Sequence, residues 1–94
     1  MVRPEFAMKI AVFDTYVQRP DGRRMHFDIL VPDAGKDHAK VLGFGRTYLE
    51  AKGVPTETLR AEECRYCHVE HATDEVQAAV QADGFAIIEL GNCD

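Results

Sequence analysis

Cys64-Arg65-Tyr66-Cys67-His68, with His71 three residues further on, is the segment whose residue types and spacing point most directly to chemistry. Two thiolates in a tight knuckle can grip Zn²⁺, and neutral imidazoles can complete a tetrahedron. His68, His71, His26 and Cys93 are available to complete it, but no second Cys pair follows. The spacing therefore suggests zinc without defining a full ligand set. Thiol chemistry is the second reading. Cys64 or Cys67 would act as a redox thiol or nucleophile, with Arg65 and His68 lowering a thiol pKa and His68 serving as base. Against it, activated thiols of this spacing open a helix, and the next helical pattern starts only near Thr73 or Asp74. Covalent haem attachment also uses C-x-x-C-H, but no second axial ligand is apparent and so small a domain has little apolar volume for a haem. The plain structural reading is that these cysteines are small buried hydrophobes. Local backbone shape decides among the readings. A regular strand sends Cys64, Tyr66 and His68 to one face and Cys67 to the other, which defeats both a shared metal and a 64–67 disulfide. A knuckle at Arg65-Tyr66 restores both.

A second group emerges from a hairpin. Lys9 to Gln18 is rich in β-branched and aromatic residues and reads as a strand, and Arg23 to Val31 reads as its return. Between them, Pro20 presets φ and Gly22 can take positive φ. A three-residue loop sets Arg19 opposite Arg23, and the pairs follow by counting. Val17 meets Met25, Thr15 meets Phe27, Phe13 meets Ile29 and Ala11 meets Val31. On the other face Tyr16 meets His26, Asp14 meets Asp28 and Val12 meets Leu30. The first set is almost wholly apolar and should carry the helices. The second places two carboxylates opposite each other, an unfavourable pairing that a cation, a bound metal or solvation must offset. Asp14, Tyr16, His26 and Asp28 thus form a polar patch suited to a divalent cation or to proton transfer. The commoner fate of such a set is a hydrated sheet face with a His–Asp hydrogen bond.

The remaining elements position these groups. Ala39, Val41, Leu42, Gly45, Tyr48 and Leu49 recur at helical spacing between Lys36 and Lys52, and Gly53 supplies a stop. Gly43 and Gly45 inside that helix suggest close packing on the sheet. Arg60 to Val69 reads as a third strand. Asp74 with Gln77 suits a capping box opening a second helix, and Phe85 to Leu90 reads as a last strand in the sheet interior. Met1 to Ala7 lacks periodicity and precedes a Met-Lys-Ile that resembles a second start, so it is set aside as a leader. Residues 8–94 then form one α+β domain of order β-β-α-β-α-β. The expected architecture is a two-layer sandwich: a four-stranded mixed sheet with both helices on one face, as right-handed crossovers require.

Composition narrows the classes. The chain has 94 residues, 11 Lys plus Arg against 16 Asp plus Glu, and a formal net charge of -5. An acidic domain offers no general field for phosphate, so neither nucleic acid nor a membrane surface is an expected partner. No apolar run approaches the roughly 18 residues of a membrane span. A secretory signal is not evident, so a reducing cytoplasm is the expected compartment.

Asp14-Thr15-Tyr16-Val17, His26-Phe27-Asp28, Glu63-Cys64-Arg65-Tyr66-Cys67-His68 and Asp74-Glu75-Val76, in this order, resemble the DUF2024 family of small prokaryotic proteins. The resemblance runs from about Met8 to Asp94. It implies a compact α+β fold of this element order and no assigned activity, so no catalytic residue is carried over. The leading expectation is a small binding or accessory module with zinc at Cys64 and Cys67 plus one or two of His68, His71 and His26. The alternatives are a thiol-dependent activity and a homodimer joined through the open sheet face or an edge strand.

Overall fold

The hairpin turn sets the register of the whole sheet. In the computed structural model, which describes residues 8–94, Arg19 N–H donates to the Arg23 carbonyl at 2.8 Å and Gly22 N–H to the Arg19 carbonyl at 3.0 Å. Gly22 adopts φ 91°, a left-handed conformation costly for any residue with a Cβ. Asp21 locks the loop by accepting from the Arg23 backbone N–H at 3.0 Å and side-chain Nε at 2.8 Å. From this turn β1 (Lys9–Gln18) and β2 (Arg24–Pro32) run antiparallel, with Asp14 opposite Asp28, Thr15 opposite Phe27 and Tyr16 opposite His26. Every cross-strand pair counted from the sequence is present.

A 3₁₀ turn at Asp33–Gly35 leads into α1 (His38–Lys52), and another at Ala61–Glu63 into β3 (Cys64–His71). The chain then forms α2 (Asp74–Asp83) and β4 (Ala86–Gly91). This is the expected order, in an α+β fold. The sheet order is β3-β1-β2-β4. Every neighbouring pair is antiparallel, so the sheet is not mixed.

The apolar face of the hairpin carries α1. Ala11, Phe13, Val17, Met25, Phe27, Ile29 and Val31 form one core with Val41 and Leu49 of α1. Each large side chain so buried contributes roughly 1.5–3 kcal/mol. Tyr48 packs on Phe27 with ring centroids 4.7 Å apart, and its hydroxyl donates to Glu89 of β4 at 2.6 Å. Lys52 pairs with the same carboxylate at 2.7 Å. Burial and the Glu89 bond push the Tyr48 hydroxyl pKa well up, while Lys52 and then Tyr48 hold the Glu89 carboxyl down.

The second helix lies on the opposite face, not beside the first. Val76 and Val80 form a separate core with Ile10, Val12, Leu30 and Ala86. The handedness rule that groups helices on one face governs connections between parallel strands. It applies to α1, which links β2 to β3, two strands that are both antiparallel to β1. It does not apply to α2, because β4 is antiparallel to β2 and so runs opposite to β3. The cap of α2 is also one residue earlier than expected: Thr73 accepts from the Val76 N–H at 3.2 Å. β4 is an edge strand rather than an interior one, with Ile88 and Leu90 exposed. Met1 to Ala7, set aside as a leader, lies outside the described residues. Among those described, no helix is long and apolar enough to cross a membrane.

The two glycines of α1 differ. A Cβ on Gly45 would lie 3.1 Å from Leu59 Cδ2 and 3.2 Å from Ile29 Cδ1, whereas one on Gly43 would meet nothing within 4 Å. Close packing on the sheet therefore accounts for Gly45 alone. Gly43→Ala should stabilise the fold by about 1 kcal/mol through helix propensity. Gly45→Ala should gain less, because Leu59 and Ile29 must yield. Urea unfolding of both variants checks this, and equal gains would remove the packing role of Gly45.

Candidate functional site

The face under α2 is only half covered. Ile10, Val12 and Leu30 lie beneath the helix, and further along the same strands Asp14, Tyr16, His26 and Asp28 are left half-buried. The Arg19–Arg23 bond at the turn fixes the ladder phase, so odd residues of β1 bond to β2 and Asp14–Asp28 is a non-hydrogen-bonded pair. Such pairs bring Cα atoms to about 4.5 Å, the closest approach an antiparallel sheet allows. His26 Nε2 contacts Asp14 Oδ1. The Tyr16 ring stacks on the His26 ring at 4.2 Å and 9°, and the Arg24 guanidinium lies 4.3 Å over Tyr16. Arg24 in turn pairs with Glu63 at 2.6 Å. This stack fixes the imidazole plane from one side.

Asp14, His26 and Asp28 can each offer one ligand atom, all within 4.8 Å of one another. Among the described residues this is the group that could hold a metal ion. The His26 and Asp14 side chains are 30% and 36% exposed, so a cation here would keep positions open to solvent or ligand. Partial burial raises the Asp28 pKa, and the Asp14 charge and a hydrogen bond to Asp14 raise it further; His26 and His68 act in the opposite sense.

The cysteine segment takes neither shape weighed from the sequence. It is a strand with a bulge: Phe13 pairs with Tyr66 and Val12 with His68, which leaves Cys67 as the extra residue. Cys64 and Tyr66 pair with Thr15 and Phe13 on the α1 face, and His68 and Glu70 pair with Val12 and Ile10 on the α2 face. Cys64 is buried and accepts from Thr15 Oγ1 at 3.4 Å. Burial pushes its thiol pKa up, and the Thr15 bond only partly opposes this. Cys67 is exposed, and His68 Nε2 lies 3.0 Å from Glu70 Oε2. His71 pairs with Lys9 at the far end of β3, and His26 lies on β2, beyond β1. Cys93 is buried, its thiol donating to the His26 and Gly91 carbonyls. One centre built from Cys64, Cys67, His68, His71 and His26 is therefore not assembled within this chain. His68 also lies on the wrong face to act as base for Cys64. Asp14, Tyr16, His26 and Asp28, by contrast, are brought together.

Sequence reasoning missed two concavities. A polar cleft of about 180 Å³ beside Asp14 is lined by Tyr16, Arg24, Glu63 and Arg65. A larger, mainly apolar groove of about 590 Å³ on the α1 face is lined by Phe13, Lys36, His38, Cys64, Arg65 and Tyr66, among others. His38 stacks on Phe13 and its Nε2 lies 2.8 Å from the Cys64 carbonyl. Only the sheet order brings these segments together, and no spacing in the sequence reveals it.

The DUF2024 sequence profile, described as a domain of unknown function, matches residues 8–90. Among solved structures, the chain is similar to the NMR structure of protein NE1680 from Nitrosomonas europaea, with 40% identity. That similarity covers 93% of this chain and 100% of the other, with a TM-score of 0.81. No curated protein matches.

The raised Asp28 pKa has a definite sign. A carboxyl that binds its proton more tightly when folded contributes stability below its unfolded pKa, and that contribution is lost as pH rises through the folded value. In chelator-treated protein, Asp28→Asn should raise the melting temperature at pH 7 and leave it nearly unchanged near pH 3. Thermal melts at the two pH values check this, and a lowered melting temperature at pH 7 would contradict the strained carboxyl pair.

Proposed function

The chain belongs to the DUF2024 family, and from the geometry of its polar patch we propose a small binding module that holds a divalent transition-metal cation at Asp14, His26 and Asp28. The observation that carries this reading is the convergence of two carboxylates and one imidazole within 4.8 Å on one face of a rigid hairpin. A cation there turns the like-charge pair from a cost into a ligand set and opposes the burial and the Asp14 charge that raise the Asp28 pKa. Mixed oxygen and nitrogen donors suit Zn²⁺ or Mn²⁺ better than the all-oxygen shell of Ca²⁺. Three protein ligands leave coordination positions free, as expected of a metal that meets a small ligand. The cleft alongside sets Arg24 and Arg65 among Asp14 and Glu63, so it would offer such a ligand both donors and acceptors. A buried Cys64 thiol with a raised pKa favours this reading over thiol catalysis at that residue.

Titration calorimetry of chelator-treated protein should show one equivalent of Zn²⁺ or Mn²⁺ bound, with proton release. Affinity should fall as pH drops through the Asp28 titration, because the proton competes for the site. Asp14→Asn and His26→Ala should each weaken binding at least about 100-fold, given that even outer-sphere losses cost 10- to 100-fold. Cys67→Ser should leave it unchanged. The proposal fails if binding is lost in Cys67→Ser and kept in His26→Ala.

A further inference from the structure

We propose that β3 is the contact surface for a second copy of this chain, joined edge to edge and antiparallel, with the two-fold axis between Cys67 and His68. The proposal does not require a bound cation, although Arg65 also lines the cleft beside that site. β3 ends the sheet, and every residue of the strand after Cys64 is exposed. Tyr66 is 50% and Val69 38% exposed, on a strand whose outer edge pairs with no other strand among the described residues.

The free backbone groups of β3 follow from the ladder. The turn commits odd residues of β1 to β2, so its even residues face β3. The Ala72 N–H bond to the Met8 carbonyl, at 2.9 Å, has the same phase. Stepping along the observed pairs, residues 70, 68 and, past the bulge, 65 turn toward β1. Residues 64, 66, 69 and 71 therefore present their N–H and C=O groups outward. These four positions are symmetric about the midpoint of 67 and 68, so the outward groups of 66 meet those of 69, and those of 64 meet those of 71. The bulge creates this symmetry. An unbulged strand presents every second residue and can pair with itself only about a residue, not between two.

Side chains agree with the same register. Arg65 and Glu70 share the α2 face, and the register sets each opposite the other across the junction, giving two ion pairs. Tyr66 and Val69 share the α1 face and would be covered by Val69 and Tyr66 of the second copy. Within the chain Glu70 meets His68 through Oε2 at 3.0 Å and Arg65 donates Nε to the Glu62 carbonyl at 2.8 Å, so the junction would use Glu70 Oε1 and the terminal guanidinium nitrogens; on the other sheet edge Glu89 is held by both Tyr48 and Lys52.

Light scattering across a dilution series should show a dimer that dissociates to monomer. Val69→Pro removes an outward N–H that the β1 ladder does not use, so circular dichroism should be kept and the dimer lost. Arg65→Glu and Glu70→Arg should each raise the dissociation constant at least about 10-fold, and the double variant should recover most of that loss. A monomer at every concentration overturns the proposal, as does a dimer that survives Val69→Pro. Failure of the double charge exchange to recover affinity overturns the register.

Discussion

The rest of the structure depends on the phase of one hairpin. The side-chain period of a strand is two, so a slip of one residue between β1 and β2 would turn one strand over relative to the other. With β1 in place, Met25, Phe27 and Ile29 would leave the α1 core, and Asp28 would lie under α1 on the opposite face from Asp14. The Pro20-Asp21-Gly22 loop prevents that slip: Gly22 takes the left-handed conformation, and Asp21 holds both the backbone and the guanidinium of Arg23. The same phase decides which strand edges bond where, and so sets Asp14 and Asp28 at closest approach.

The two faces then diverge in what they do. Helix α1, with 15 residues, spans the apolar face, and the core beneath it includes Phe27, the largest fully buried side chain. Helix α2 has only 10 residues and covers one end of the other face. Where it stops, the sheet changes from valine, isoleucine and leucine to aspartate, tyrosine and histidine. The polar patch thus sits on the two central strands of the sheet yet remains reachable from solvent, a combination that suits binding. Its burial is deep enough to perturb Asp28 and shallow enough to leave room for a ligand.

The sequence made the local parts of this arrangement legible. Each hairpin pair could be counted once the loop length was chosen, because turn chemistry and alternation agreed. The span of α1 and the presence of α2 followed from apolar periodicity. What escaped was non-local. The side of the sheet on which β3 and β4 fall depends on which strands run parallel, and the handedness rule misled where β3 and β4 are antiparallel. The bulge at Cys67 escaped as well. Nothing in Cys64-Arg65-Tyr66-Cys67-His68 marks it, since no glycine is present and every residue there is compatible with regular strand. One extra residue nevertheless moves His68 to the opposite face from Cys64 and undoes the cysteine-based reading. The groove along Phe13, His38 and Tyr66 needed tertiary structure for the same reason, because it joins segments from β1, α1 and β3.

The last residues bear on how the protein is made. Arg19 donates to the carbonyls of Asn92 and Asp94, both at 2.8 Å, Asn92 returns a bond to the Arg24 carbonyl, and Cys93 is buried in the α1-face core. The tip of the first hairpin is therefore sealed by amino acids translated more than seventy positions later. On the ribosome the hairpin can form early, but its base of support stays open until those codons have been read and the segment has cleared the exit tunnel. The first hairpin can therefore be sealed only once residues 92–94 have been made, a long-range closure that its own turn cannot supply.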